Sequence, residues 1–435
     1  MKIKKLMVRN YKLFDDLELD FTDKNGEILD TIVLAGLNGS GKTTILELIE
    51  NLINGTLSQK DIQPNTHIKL QMVLSRSFQE HGKLRKEIDS NYYLAGETFT
   101  KDSTLITFDL LNNENSNLPI TSFESASVTL SKVVRTSLNI FSDAFSSAFF
   151  GIAERKRGLY IYASDKQKDS AKMTNIKRTT FNSDKENIQE NILKSIQKQV
   201  FANPDTPPRQ VFNHQINELN KLFDQLNLYS KLMQVNEKEL IFESINGQKI
   251  HFEDLSSGEK MLYYMGFMLN QLNLENTLIL IDQPEDALHP TWQQQITTFF
   301  KNIGKNNQVI LATHSPQIIA SVHPESVFVL GVEEGKRKIK AFNMAVEHKN
   351  SYGVDANRIL SEIMGTPIRS FEAQQSINSV NNLIKEMELN PAPSSLVTLE
   401  YQIDTLAIDF GKQDMAVMRL RNELRLLKRK VELRK

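Results

Sequence analysis

Gly36-Leu37-Asn38-Gly39-Ser40-Gly41-Lys42-Thr43 fits the pattern G-x-x-x-x-G-K-[ST]. Glycines at these positions let consecutive backbone N–H groups point inward around one phosphate. A helix beginning at the end of the loop adds its positive N-terminal end. In such a cradle, built from Asn38, Gly39, Ser40, Gly41 and Thr44 together with Lys42 and Thr43, the Lys42 ammonium reaches β- and γ-phosphates and the Thr43 hydroxyl ligates Mg2+. A Gly-rich turn can match the pattern by chance. Here the flanks argue against chance: Thr31 to Leu34 is a short apolar run of the kind buried on both faces of a sheet, and Ile45, Leu48, Ile49 and Leu52 follow at helical spacing.

Three later segments carry matching chemistry. Thr277-Leu278-Ile279-Leu280-Ile281 is an apolar run ending in Asp282; such a strand delivers its acid to the carboxyl edge of an open sheet, where Asp282 holds Mg2+ through water. Alone the signal is weak, because many core strands end in Asp. Leu255-Ser256-Ser257-Gly258-Glu259-Lys260 opens a helix, with Ser256 or Ser257 able to cap it and the turn able to face an anion. Thr313-His314-Ser315-Pro316 follows the apolar run Gln308 to Ala312. A lone His is more often structural than catalytic, but His314 stands directly after a buried strand with Ser-Pro behind it.

In this order the segments resemble the ABC-type ATPases of the RecF, SMC-like and OLD-like branch, labelled AAA in some families. The resemblance is close over residues 1–55 and 240–325 and loose over 326–370. It implies an α/β fold, an ABC ATPase head with a mixed sheet flanked by helices, a largely helical insert and a helical C-terminal extension. It implies ATP and Mg2+ at the site. It makes residues 255–260 the family's signature, which cannot reach its own loop: Ser256, Ser257, Gly258 and Glu259 would bind in trans the nucleotide of a second copy, giving a head-to-tail dimer and leaving larger assemblies open.

Gln283 departs from the family's pattern, in which Glu normally follows the acid at the position of Asp282 as the base of hydrolysis. An amide can hydrogen-bond water but cannot take its proton near pH 7. Gln283 is either natural, as in related ATPases with an Asp-Gln-Pro-Glu-Asp string, or a replacement of Glu that holds the ATP state, or Glu285 or Asp286 substitutes for it. Gln283 and His314 are the expected catalytic positions, and hydrolysis is expected to be slow. The Q-loop candidates are Gln71 and Gln167; Asn10 and Lys12 sit where the first strands approach the nucleotide.

Composition bounds the rest. The 435 residues are 40% hydrophobic and 24% charged with a net charge of −1, an ordinary globular balance with no global pull toward nucleic acid. There is no cysteine, which excludes disulfides and thiolate zinc sites and fits a cytoplasmic location. No apolar run reaches the ~18 residues of a membrane span.

The predicted divisions are 1–55 (first ATPase lobe), 56–235 (the rest of that lobe plus insert), 236–350 (second lobe) and 351–435 (helical, for assembly or docking). Val133 to Phe150 reads as helix, Ser164 to Glu190 as a polar loop, residues 187–235 as helical with a break near Pro204 to Pro208, and Leu240 to Phe252 as a hairpin around Asn246-Gly247. Beyond Ser351 the chain reads as helix interrupted by Pro391 to Ser395, ending in a basic helix with Leu420, Leu424, Leu427 and Val431 on one face.

The layout, with the segment Tyr352 to Leu360, resembles ATPase subunits of bacterial anti-phage systems of the Septu, retron-associated and PARIS kinds. Residues 331–435 are too short and helical for the Toprim nuclease of OLD proteins, so the resemblance implies a separate effector, a nuclease, as partner. The alternative function is a DNA-repair ATPase that clamps duplex DNA, through Arg155, Lys156, Arg157, Lys166, Lys168 and Lys172; a solvated loop is the plainer reading of those residues. A transporter ATPase would need a surface coupling to membrane helices, and nothing marks one.

Overall fold

The computed structural model describes residues 2–54, 57, 61–75, 98–99, 103–111, 159–162, 185–236, 239–271, 274–332, 339–389 and 393–432. Strands β1 (Lys2–Tyr11) and β2 (Phe14–Asp20) precede β3 (Thr31–Gly36), which runs into the Gly-rich loop, and α1 (Lys42–Asn54) leaves it. Strands β4 (Ile62–Ser75), β5 (Thr98–Phe99), β6 (Ser103–Leu111) and β7 (Leu159–Tyr162) follow, then helices α2 (Lys185–Ala202) and α3 (Pro208–Phe223). Strands β8 (Ser230–Val235), β9 (Leu240–Ser244) and β10 (Lys249–His251) lead to α4 (Ser257–Gln271) and β11 (Leu278–Asp282). Next come α5 (Pro290–Lys301), β12 (Gln308–Thr313), the short α6 (Pro316–Ala320), β13 (Val327–Val332) and β14 (Ile339–Asn343). Helices α7 (Phe371–Leu389), α8 (Pro393–Phe410) and α9 (Met415–Glu432) close the described chain.

The main sheet has eleven strands in the order β5-β6-β4-β1-β2-β14-β13-β3-β12-β11-β7. Its heart is parallel: β13 pairs with β3, β3 with β12 and β12 with β11. These strands read as unbroken apolar runs because both faces are covered; β3, β11 and β12 are buried at every position. On one face α1 lays Ile45, Leu46, Leu48, Ile49 and Leu52, all fully buried, against a core containing Ile32, Leu34, Leu280 and Ile310. Each such side chain contributes about 1.5–3 kcal/mol by leaving water. Elsewhere Phe223 of α3 stacks on Phe299 of α5 (centroids 5.5 Å apart) and meets Tyr263 of α4 edge-on at 4.7 Å. The second, antiparallel sheet has the order β10-β9-β8.

The chain divides into two units, one running through Ile359 and one from Leu360 onward. The second is a helical unit: α7, α8 and α9 share a core of Ile377, Val380, Ile384, Met387, Leu399, Ile403, Leu406, Val417, Leu420, Leu424 and Leu427.

Several expectations change. Residues 230–235 are a strand, not the end of a helix; Lys, Leu, Met and Gln favour helix locally, but Ser230, Leu232 and Val235 are buried and the segment pairs with β9. Helix α2 begins at Lys185, inside the expected polar loop. The expected break at Pro391 to Ser395 is not seen at 393–395, which are helical, and the described C-terminal region is interrupted instead at 364–370 and between α8 and α9, where Gly411 has φ +92° and Asp414 caps the next helix. Of Tyr352 to Leu360 only the part from Ala356 is helical, the first four residues forming a turn with Gly353 at φ +70° and Tyr352 stacked on His323. Strand β14 was not expected at all. The expected helix Val133 to Phe150, Gln167 and the basic cluster Arg155, Lys156, Arg157, Lys166, Lys168 and Lys172 lie outside the described residues.

Candidate nucleotide site

Parallel pairing sets the site. Asp282 is in register with Ala312, and Thr313 with Ala35, so the carboxyl ends of β11, β12 and β3 lie side by side. Ligands of open α/β sheets bind at such an edge. The Gly-rich loop leaves β3, Asp282 ends β11, and His314 follows β12.

Within the loop, Gly39 and Gly41 have φ +78° and +87°, backbone that a side chain would strain. A Cβ on Gly41 would lie 2.7 Å from the Phe14 ring of β2, so glycine there also lets the hairpin pack beneath the loop. Asn38 and Gly39 are exposed at the tip, and Ser40, Gly41 and Lys42 are buried. Lys42 Nζ donates to the carbonyls of Gly36 (2.8 Å) and Leu37 (2.9 Å). Burial pushes its ammonium below the usual lysine range, against the pull of Asp282 and Glu285.

Thr43 Oγ1 donates to Asp282 Oδ2 at 2.7 Å. Asp282 Oδ1 is buried and has no hydrogen-bond partner. Burial raises the Asp282 carboxyl above its ordinary range, with Thr43 and Lys42 opposing and Glu285 and Glu47 reinforcing. A buried acid with one oxygen unmet suits a divalent cation. Among the described residues no cluster of three or more His, Asp or Glu is placed to hold a metal.

Beyond Asp282 the chain reverses sharply. Gln283 donates its N–H to the Ala312 carbonyl at 2.8 Å, extending the parallel ladder by one residue, and then adopts φ +54°. Asp286 N–H closes a turn onto the Gln283 carbonyl at 3.3 Å, with Pro284 at the position its ring favours. This turn buries Glu285. Its Oε1 accepts the His314 backbone N–H at 2.9 Å and lies 3.7 Å from His314 Nε2. Its Oε2 and the His314 Nδ1 are buried without partners. Gln293 of α5 ties the two loops together: its amide donates to Leu288 O at 2.9 Å and its carbonyl accepts from Ser315 Oγ at 2.7 Å.

The Ser256 turn is a capping box. Glu259 N–H donates to Ser256 Oγ, and Ser256 N–H donates to Glu259 Oε2, both at 3.2 Å. The other Glu259 oxygen accepts from Ser230 Oγ at 2.7 Å. Glu259 is therefore turned inward and braces the turn, while Ser256 and Ser257 are exposed. Gly258 has no room for a side chain, since a Cβ would lie 2.5 Å from the Ala287 carbonyl. Helix α4 is thus seated on the turn that follows Asp282.

Sequence reasoning did not single out Ser230 or Gln293; the first lies in a strand read as helix, and the second gives no signal until β12 and α5 are juxtaposed. Gln71 lies mid-strand in β4, paired with Lys5 of β1, away from the loop. Asn10, near the end of β1, and Lys12, in the β1–β2 turn, both have φ +49°; the Asn10 amide donates to Asn65 O, and Lys12 pairs with Asp61 at 3.2 Å.

The chain resembles known proteins. The chain is 22% identical to "Retron Vc95 probable ATPase" of Vibrio cholerae serotype O1 biovar El Tor, over 88% of this chain and 84% of that one. It is 23% identical to "Retron Ec83 probable ATPase" of Escherichia coli, over 76% of this chain and 71% of that one. A shorter likeness, 30% identity over 22% of this chain and 27% of the other, links it to "Septu protein PtuA" of Bacillus thuringiensis. Residues 32–320, which carry the Gly-rich loop, the Ser256 turn, Asp282 and His314, match the family described as "AAA domain, putative AbiEii toxin, Type IV TA system". That match spans well over half of the 435 residues, and the chain belongs to this family.

Proposed function

We propose that the chain is an ATP-binding, slowly hydrolysing ATPase that docks head-to-tail on a second copy and serves as the ATPase subunit of an anti-phage defence system. The observation that carries the ATP reading is the Thr43–Asp282 bond at 2.7 Å with Asp282 Oδ1 unmet beside it. Lys42 and the loop N–H groups hold the phosphates; Thr43 and Asp282 hold Mg2+, which would neutralise charge on the β- and γ-phosphates. His314 faces the γ-phosphate. The outward-facing Ser256 and Ser257, on a helix N-terminus braced by Glu259, suit a phosphate presented by another copy. The named relatives support the defence role, and with it a separate effector, a nuclease, as partner.

The test is mass against nucleotide. Light scattering of the full chain should show growth to a dimer on adding ATP and Mg2+, and Lys42→Ala should abolish both binding and growth. An unchanged monomer at saturating ATP contradicts the shared site; absent ATP binding contradicts the whole reading.

A further inference from the structure

Glu285 occupies a position for which Gln283 leaves a vacancy in the chemistry. We infer that Glu285 is the carboxylate that accepts the proton of the attacking water during ATP hydrolysis; this rests on the nucleotide-site reading above. Three observations converge on it. The turn through Gln283 and Pro284 brings Glu285 back into the site, where its charge is felt by both Lys42 and Asp282. Its Oε1 is committed to the His314 backbone N–H at 2.9 Å, which fixes the carboxylate against the histidine loop. Its Oε2 is buried with no partner, an arrangement that costs free energy and calls for a hydrogen-bond donor.

In the step, the water oxygen bonds to the γ-phosphorus and the bond from that phosphorus to the β–γ bridging oxygen breaks. ADP leaves with that electron pair, and the water proton passes to Glu285 Oε2 and from there to solvent. The Gln283 amide, which cannot take the proton, is left to hydrogen-bond the water.

Two variants of the full chain separate a proton acceptor from a brace. Glu285→Gln keeps an oxygen for the His314 N–H and keeps the side chain's volume, whereas Glu285→Ala removes both. Steady-state ATPase and equilibrium ATP binding are measured for each. The inference expects Glu285→Gln to lower kcat about 100-fold or more, as far as Glu285→Ala does, with ATP affinity and KM unchanged. A Glu285→Gln chain that hydrolyses within a few-fold of the parent, beside an inactive Glu285→Ala, makes Glu285 a brace for His314 and overturns the inference while leaving the nucleotide site standing. Failure of the parent itself to bind or hydrolyse ATP overturns both.

Discussion

Thr43 and Asp282, 239 residues apart in sequence, are joined by a 2.7 Å hydrogen bond across the carboxyl edge of the sheet. The bond ties the start of α1 to the end of β11, and it satisfies only one oxygen of a buried acid.

A stability consequence follows from that acid. Burial raises the Asp282 carboxyl, so the folded chain holds its proton to higher pH than the unfolded chain does. The sign is that stability falls as pH rises from the ordinary carboxylate range through the folded value, and the penalty is fully present above it. Asp282→Asn removes the penalty and keeps an acceptor for Thr43. Its melting temperature should exceed the parent's at neutral pH by a few degrees, with the gap closing on acidification. Its melting temperature should also no longer rise when Mg2+ is added with ATP. A variant less stable than the parent at neutral pH contradicts the assignment.

Gln283→Glu restores a carboxylate next to Asp282. With Glu285 accepting the proton, the ATPase rate should stay within a few-fold of the parent while ATP affinity holds, and a rise of one to two orders of magnitude, the usual range for general-base catalysis, would assign proton acceptance to position 283 instead.

The capping box at Ser256 gives a local test. Ser256→Ala removes the acceptor for Glu259 N–H and costs about 1 kcal/mol. Gly258→Ala forces a Cβ against the Ala287 carbonyl and costs about 1–3 kcal/mol. Because Ala287 belongs to the turn carrying Glu285, Gly258→Ala should lower the ATPase rate beyond what its thermal destabilisation accounts for. Equal rates at a temperature where both chains are folded would count against that coupling.

In the helical unit, Asp414 accepts both bonds of the Arg369 guanidinium (2.8 and 2.7 Å) and caps α9 through Ala416 N–H at 2.9 Å. Arg369 lies over the Phe410 ring at 5.0 Å. The Arg369 hydrogen bond holds the Asp414 carboxyl below its usual range, so this support is complete above the ordinary carboxylate pKa and is lost as pH falls through the lower folded value. Asp414→Ala should speed amide exchange in the first turns of α9, by an amount matching about 1 kcal/mol for the lost cap. Exchange unchanged in α9 argues that the clamp is incidental.

The parts legible in sequence were those set by strong local rules. Apolar runs fixed β3, β11 and β12, and the residues at their ends, Lys42, Thr43, Asp282 and His314, meet where the parallel register puts them. What escaped depended on tertiary context. Ser230–Val235 favours helix until β9 pairs with it. The inward turn of Glu259 depends on Ser230, and the burial of Glu285 depends on Gln283 accepting a left-handed conformation. The break before α9 did carry a signal, Gly411 and Asp414 in the stop-and-start spacing of helix ends, overshadowed by the more obvious Pro391.

The shared site is tested most directly by mixing two chains that each fail alone. Lys42→Ala lacks the phosphate lysine but keeps its Ser256 turn; Ser257→Arg obstructs the exposed turn but keeps its loop. In a mixed dimer one nucleotide site has both an intact loop and an intact turn. Each variant alone should be inactive, and the mixture should regain ATPase activity. A mixture as inactive as its components, with dimers shown to exchange, would contradict a nucleotide site built from two copies.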